Sequence, residues 1–285
     1  MAASVLRALT DAPNPIRNYA ADPRTARQRR LGCSMATKTP PELRTQNSAM
    51  LPSPLMSAQR IRVWFSKGER VRYISHLDVL RYWERCIRRA ELPLSYSQGF
   101  TPHPKLAFAG PLPLGFLADN EVMDVTLDER IDIPEFESRV RAQTTADLSL
   151  VRAEEVALGI PAPQSALLWA DYTIDLTGIA PDEAVEAVRA FLAADAYPWT
   201  ETRHDKPRVY DLRAAVASMS VVPADGGVRL TARLQATQEM MARPEQLIAA
   251  LFPLAELTLV TRLGLVFDDV SPAREAWMRR GRFQE

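Results

Sequence analysis

Residues 73–115 read YISHLDVLRYWERCIRRAELPLSYSQGFTPHPKLAFAGPLPLG, and they hold a capped basic helix, a polar-aromatic loop and a proline-fixed histidine. Ser75 and Asp78 stand at capping-box spacing, in which each side chain takes a backbone N–H that the first helical turn leaves unpaired. A helix is therefore expected from His76. Leu77, Val79, Leu80, Trp83, Cys86, Ile87 and Ala90 recur at helical spacing and predict an apolar face, while Arg81, Arg85, Arg88 and Arg89 share another. Leu92-Pro93 ends the helix, because proline restrains the residue before it and lacks an amide donor. A short extended run over residues 94–96 leads into SQGFTPHPK, residues 97–105. Pro102 and Pro104 fix the backbone on both sides of His103, whose ring is presented from a stiff, non-helical segment.

Before this segment, IRVWF at 61–65 alternates as a strand, Lys67-Gly68-Glu69 reads as a turn, and residues 71–74 extend the strand to the helix cap. Further strands are expected at 106–109, 121–127 and 148–156, with a helix from Ile133-Pro134 to about Gln143. This order, β-α-β-β-α-β, is the ferredoxin-like unit. The pattern repeats after a linker at 160–163: strands at 171–176, near 209–217, at 228–237 and at 257–263, with helices opening at Pro181 and Pro244. The expected class is α+β. Two tandem ferredoxin-like domains occupy 59–159 and 166–270, with a disordered N-terminal arm over 1–58 and a tail or short helix over 271–285. Trp64 and Trp83 lie at core spacing and are expected to pack.

Residues 1–58 are rich in Pro, Ala, Ser, Thr and Arg and show no sustained period. The composition fits a transit peptide, a mobile arm, or an extension upstream of a true start at Met35, Met50 or Met56. Asp11, Asp22 and Glu42 interrupt the targeting pattern and favour the last two.

The 285 residues are 47% apolar and 25% charged, average for a globular protein with room for two cores. No apolar run approaches the ~20 residues that span a bilayer, so no membrane partner is expected. Cys33 and Cys86 supply neither a disulfide framework nor a metal cluster, which fits a reducing cytoplasm. The zero formal net charge is unevenly spread: residues 61–110 carry nine Lys/Arg against four Asp/Glu, and 111–200 carry five against seventeen. A basic signature region beside an acidic middle is a polarised surface, which bears on association.

The segment SHLDVLRYWERCIRRAELPLSYSQGFTPHPKLAFAGPLPLG, residues 75–115, resembles the radical SAM-linked protein family, a domain of unknown function encoded beside or fused to radical SAM proteins with a cobalamin-binding-type domain. S-H-L-D, Y-S-Q-G-F, P-H-P-K and P-L-P-L-G carry the resemblance, which thins but continues to about residue 265 through Lys206, Asp211-Leu212-Arg213 and Arg243-Pro244-Glu245. It implies a radical SAM protein as partner. The tandem layout also resembles that of CRISPR repeat-processing endoribonucleases, an analogy of fold alone.

Radical SAM chemistry itself is excluded, since it needs three closely spaced cysteines for an iron–sulfur cluster. Gly99, Gly110 and Gly115 fit neither a P-loop nor a dinucleotide fingerprint. His76, His103 and His204 lack metal-ligand spacing, so neither metal nor cofactor is expected. His76 in a first helical turn has its protonated form disfavoured by the helix dipole, which suits a neutral hydrogen-bonding or acid–base role. The arginines match phosphate in kind, and Tyr73, Tyr96 and Phe100 offer stacking faces. Solvated and packed roles stay open for all of these side chains, as do salt bridges for Lys206, Arg208, Asp211, Arg213 and Arg243.

The leading expectation is an accessory protein of a radical SAM system that binds RNA, tRNA-like in kind, or the partner's substrate in a basic inter-domain groove. Arg81, Arg85, Arg88 and Lys105 would hold phosphate; Tyr96, Gln98 and Phe100 would contact bases; His103 would orient the ligand; Lys206, Arg213 and Arg243 would line the second side. One alternative is a metal-independent RNA-processing or RNA-modifying enzyme with His76 and His103 as acid and base in one pocket. Another is a protein-docking module, marked by an exposed apolar patch.

Overall fold

The computed structural model describes residues 58–203 and 206–268. The expectations for residues 1–57, for His204 and for a helix over 271–282 lie outside them. In chain order the elements are β1 (Gln59–Lys67), α1 (His76–Arg89), β2 (Leu106–Phe108), β3 (Leu117–Leu127), α2 (Ile133–Arg141), β4 (Leu148–Val156), α3 (Pro163–Ala166), β5 (Leu167–Thr177), α4 (Pro181–Ala193), β6 (Pro198–Arg203), β7 (Lys206–Asp211), β8 (Val216–Ala224), β9 (Gly227–Gln235), α5 (Pro244–Leu251) and β10 (Glu256–Phe267).

The architecture is mixed α/β on a large, mostly antiparallel sheet. Its strand order is β4-β1-β3-β10-β5-β9-β8, with β2 paired to β3 off this path, and β6-β7 forms a separate hairpin. The two halves of the chain meet within the sheet, where β10 runs parallel to β3 over Thr261–Leu117 and Arg262–Ala118. β10 pairs antiparallel with β5 along most of its length.

Alternation in the strands sets which face is covered. Ile61, Val63 and Phe65 of β1 and Met123, Val125 and Leu127 of β3 are buried with Trp83, Ile87, Phe136 and Val140 of α1 and α2, forming one core. Phe65 and Trp83 pack ring to ring at 5.1 Å, a contact of the kind worth about 0.5–1.5 kcal/mol beyond its area. Ile174, Leu176, Leu230 and Leu234 form a second core with Ala184, Val188, Leu247 and Ile248 of α4 and α5. Phe116, which follows the signature segment, belongs to this second core and meets Tyr172 edge to face at 6.4 Å.

Local chemistry accounts for the boundaries. Asp78 N–H donates to Ser75 Oγ at 3.2 Å and the Asp78 carboxylate accepts from Ser75 N–H, so α1 starts where the capping box places it. Leu77, expected on the apolar face, is instead exposed. Residues 69–71 form a 3-10 turn, not a strand extension, because Gly68 N–H donates to Asp147 O and Arg70 N–H donates to Asp147 Oδ1. The expected strand near 209–217 is two strands of different sheets: the Asp211 carboxylate accepts from Tyr197 N–H and Arg213 N–H at 2.8 and 2.9 Å and turns the chain between them. Trp64 lies on the face of β1 opposite the helices, with the Arg152 guanidinium 3.2 Å from its ring centroid.

Candidate functional site

The signature segment builds two features. The first is the outer face of α1 with the loop beside it. The helix carries four arginines against two carboxylates, Asp78 and Glu84. Arg81 pairs with Asp78 at 3.6 Å, and Arg88 pairs with Glu84 while its Nε–H donates to the Tyr96 hydroxyl at 3.1 Å. Arg85 and Arg89 are exposed and make no salt bridge among the described residues. Ser97 N–H donates to His103 O at 2.8 Å and His103 N–H to Ser97 Oγ at 2.9 Å, which closes residues 97–103 into a tight excursion. Gln98, Phe100 and His103 all face solvent there, and Phe100 has no covering neighbour among the described residues, at 107% relative exposure. The Arg88–Tyr96 bond fastens the base of this loop to the helix. Lys105 is half-buried below it.

The second feature is a cleft of about 320 Å³ between the two halves, into which the other end of α1 projects His76. The His76 ring meets Phe108 edge to face at 5.1 Å. Gly110 and Pro111 from the signature tail form its rim, and Gln164, Leu167, Gln238 and Met241 close the far side. Burial lowers the His76 pKa from its ordinary value, with the Arg262 charge acting in the same sense and the Glu121 charge against it. The ring is therefore neutral at physiological pH and offers one donor and one acceptor.

Behind the cleft lies a buried ionic group. Glu121 of β3 accepts two hydrogen bonds from the Arg262 guanidinium of β10, and both side chains are under 5% exposed. Arg262 Nη2 also donates to Gly110 O at 3.3 Å, tying the second half to the signature tail. Lys67, equally buried, donates to Arg72 O at 2.7 Å and Phe116 O at 3.2 Å. Burial disfavours the Arg262 charge, but the Glu121 carboxylate and Tyr172 outweigh it and raise its pKa. Two cations against one anion leave one net positive charge in this interior.

The other expected residues stand apart. Arg213 donates to Leu192 O and Val216 O at 3.3 and 2.9 Å, a backbone-bracing role beside the buried Leu212. Arg243 precedes α5, and its backbone N–H donates to Gln246 Oε1. The backbone of Lys206 opens β7, while its side chain lies outside the described residues. His76 lines the cleft and His103 sits on the exposed loop, so the two rings are not brought into one pocket. A larger hollow of about 480 Å³ is lined by five carboxylates, Glu91, Glu129, Asp132, Glu135 and Glu155, against two arginines, Arg130 and Arg139, which are paired with Glu155 and Glu135. The excess of carboxylates disfavours phosphate, and among the described residues none of the 97–105 loop lines it.

Sequence reasoning missed Lys67, Glu121 and Arg262, and the signal was present. Each sits at the core parity of its strand, in step with Phe65, Met123 and Val260. A charged residue at a core position is rare unless paired. The glutamines of the cleft carried no such signal.

Fold and site together define a two-core α/β protein whose halves share a single sheet, with an arginine-bearing helix running from an inter-half cleft to an exposed loop. The chain belongs to the family described as "uncharacterized protein conserved in bacteria (DUF2344)", which matches residues 60–244. Its backbone is similar to a chain in a crystal structure of a Cbf5-Nop10-Gar1 complex, at 13% identity and TM-score 0.44, covering 82% of this chain and 60% of that one. A second similarity is to a structure of an H/ACA RNP bound to a substrate RNA containing 2'-deoxyuridine, at 12% identity and TM-score 0.37, covering 80% of this chain and 56% of that one. No curated protein matches the sequence. Among the described residues, no helix is long and apolar enough to cross a membrane.

Proposed function

We propose that this protein is a non-catalytic, cytoplasmic accessory of a radical SAM system and that it binds RNA across the outer face of α1 and the 97–105 loop. The observation that carries the reading is the outward array of Arg81, Arg85 and Arg89 beside a loop that holds Phe100 fully in solvent and is bonded to the helix through Arg88 and Tyr96. Guanidinium groups bind phosphate oxygens, and an exposed aromatic ring stacks on unpaired bases. The radical SAM partner rests on the resemblance of residues 75–115. The separation of His76 from His103 supports binding over a shared acid–base pair. Strand orders β4-β1-β3-β2 and β10-β5-β9-β8, one around each core, support reading the halves as tandem ferredoxin-like domains.

Fluorescence anisotropy with tRNA and with a single-stranded oligoribonucleotide tests the proposal. The expected result is binding at low salt that weakens at least tenfold in the R81E/R85E variant, with the salt slope reduced by about one for each phosphate the protein no longer neutralises. No affinity at low salt, or affinity indifferent to the charge reversal, refutes it. A docking role with the partner protein is the second reading, favoured by the exposed side chains of Tyr73, Leu77 and Leu114 around the start of α1. Loss of partner co-purification on replacing these three with serine, with RNA removed by nuclease, supports it; unchanged co-purification overturns it.

A further inference from the structure

We propose that the cleft between the two halves is a nucleobase pocket, a site for one flat, uncharged, hydrogen-bonding heteroaromatic ring. When the base comes from an RNA strand this deepens the RNA reading above and rests on it; when it comes from a free nucleotide it stands alone.

The lining determines the ligand class. Among the described residues no charged side chain contributes to the wall of this 320 Å³ cleft, so this lining offers a phosphate or carboxylate no cation to pair with. The volume is at the small end of ligand sites and suits one ring system, not a whole peptide segment. Phe108 and His76 present an aromatic corner, and Met241 places a polarisable thioether on the opposite side. Both types of surface favour an aromatic guest over an aliphatic one.

The polar groups are those that a base edge requires. Gln164 at the start of α3 and Gln238 after β9 each offer a carboxamide with donor and acceptor together. Neither amide has an intramolecular partner among the described residues. The Thr237 hydroxyl, by contrast, is engaged with Met240 O and N–H. His76, neutral through burial, adds a third group able to donate or accept. Bases in unpaired nucleic acid are recognised in this way, by aromatic contact on the face and hydrogen bonds along the edge. The cleft draws on both halves, since His76 and Phe108 come from one and Gln238 and Met241 from the other.

The test uses the full chain. The four ribonucleosides and their 5'-monophosphates are titrated while the His76 ring resonance, assigned by loss in the H76Q variant, is followed by NMR. Binding of an oligoribonucleotide is compared with that of its abasic counterpart. At least one nucleoside is expected to shift the His76 resonance along a saturating curve, with affinity falling about tenfold in the Q164A/Q238A variant, whose substitutions lie at exposed positions and spare the core. Preference for the oligoribonucleotide over the abasic strand, lost in Q164A/Q238A, assigns the base to RNA. Saturation by nucleosides with no such preference assigns it to a free nucleotide. If no nucleoside or nucleotide moves the His76 resonance and the two strands bind alike, the base pocket is overturned while RNA binding through α1 stands. If nucleosides bind and no RNA does, the pocket stands and the RNA reading falls.

Discussion

Removing the charge of Glu121 without removing its shape is the sharpest test of how the two halves are joined. Glu121, Arg262 and Lys67 are each no more than 3% exposed, so their charges are held out of water. Wild type carries two cations against one anion there, a net charge of plus one; Glu121→Gln raises it to plus two and leaves Arg262 with an amide in place of a carboxylate. At a charge separation near 4 Å and an effective dielectric of about 20, the lost attraction is about 4 kcal/mol. Breaking a buried pair by removing one partner costs about 3–5 kcal/mol, in the same range. The expected outcome is a lowered urea midpoint with an unchanged slope, a loss of about 4 kcal/mol read from tryptophan fluorescence. The double variant E121L/R262M restores the net charge to plus one, from Lys67 alone, and fills the space with apolar groups. It is expected to recover most of the loss, as buried pairs replaced by packed side chains often do. A single variant costing under about 1 kcal/mol, or a double variant as unstable as the single, refutes the reasoning.

Three further outcomes follow from local geometry. Gly227→Ala drives a Cβ into Leu176 O, so β9 must move away from β5; a loss of about 1–3 kcal/mol is expected in chemical denaturation. Ser75→Ala removes the acceptor for Asp78 N–H and should cost about 1 kcal/mol, seen as early fraying of the first turn of α1 in amide exchange. His76 has a pKa lowered by burial in the folded state, so between that value and the unfolded value near 6.5 the unfolded chain binds the proton and the folded chain does not. Its contribution is therefore complete above about 6.5 and is lost as pH falls through that window. The denaturation midpoint of His76→Gln should be flatter than wild type from pH 7 down to pH 5, and an identical slope in the two proteins counts against a desolvated ring.

Much of this fold was legible because its determinants are local. The Ser75–Asp78 pair fixed the start of α1, proline at first-turn positions marked α2, α4 and α5, and alternation located β1, β4 and β9. The β6-β7 hairpin was not legible, because Asp211 acts through hydrogen bonds to the backbone of Tyr197, 14 residues away, which no periodicity reports. For the same reason the sequence left Asp211 and Arg213 open between salt bridges and ligand binding; in the fold their hydrogen bonds brace a turn around the buried Leu212. The loop and its arginines could be named in advance, since proline spacing and helical period are both short-range signals. The lining of the cleft could not: His76 and Gln238 come together through contacts between the halves, such as that of Glu121 with Arg262, 141 positions apart.

The position of β10 has a consequence for how the protein is made. It is the last strand of the described chain, yet it inserts between β3 and β5 near the middle of the sheet. While the ribosome still shields residues 256–267, the emerging polypeptide holds two unfinished sheets. The flank of β5 that will meet β10 is then open along its length, and that of β3 is covered only by the three residues of β2. Unpaired strand flanks of this kind are where nascent chains associate wrongly. The interval of vulnerability closes only when translation delivers the strand that welds one half to the other.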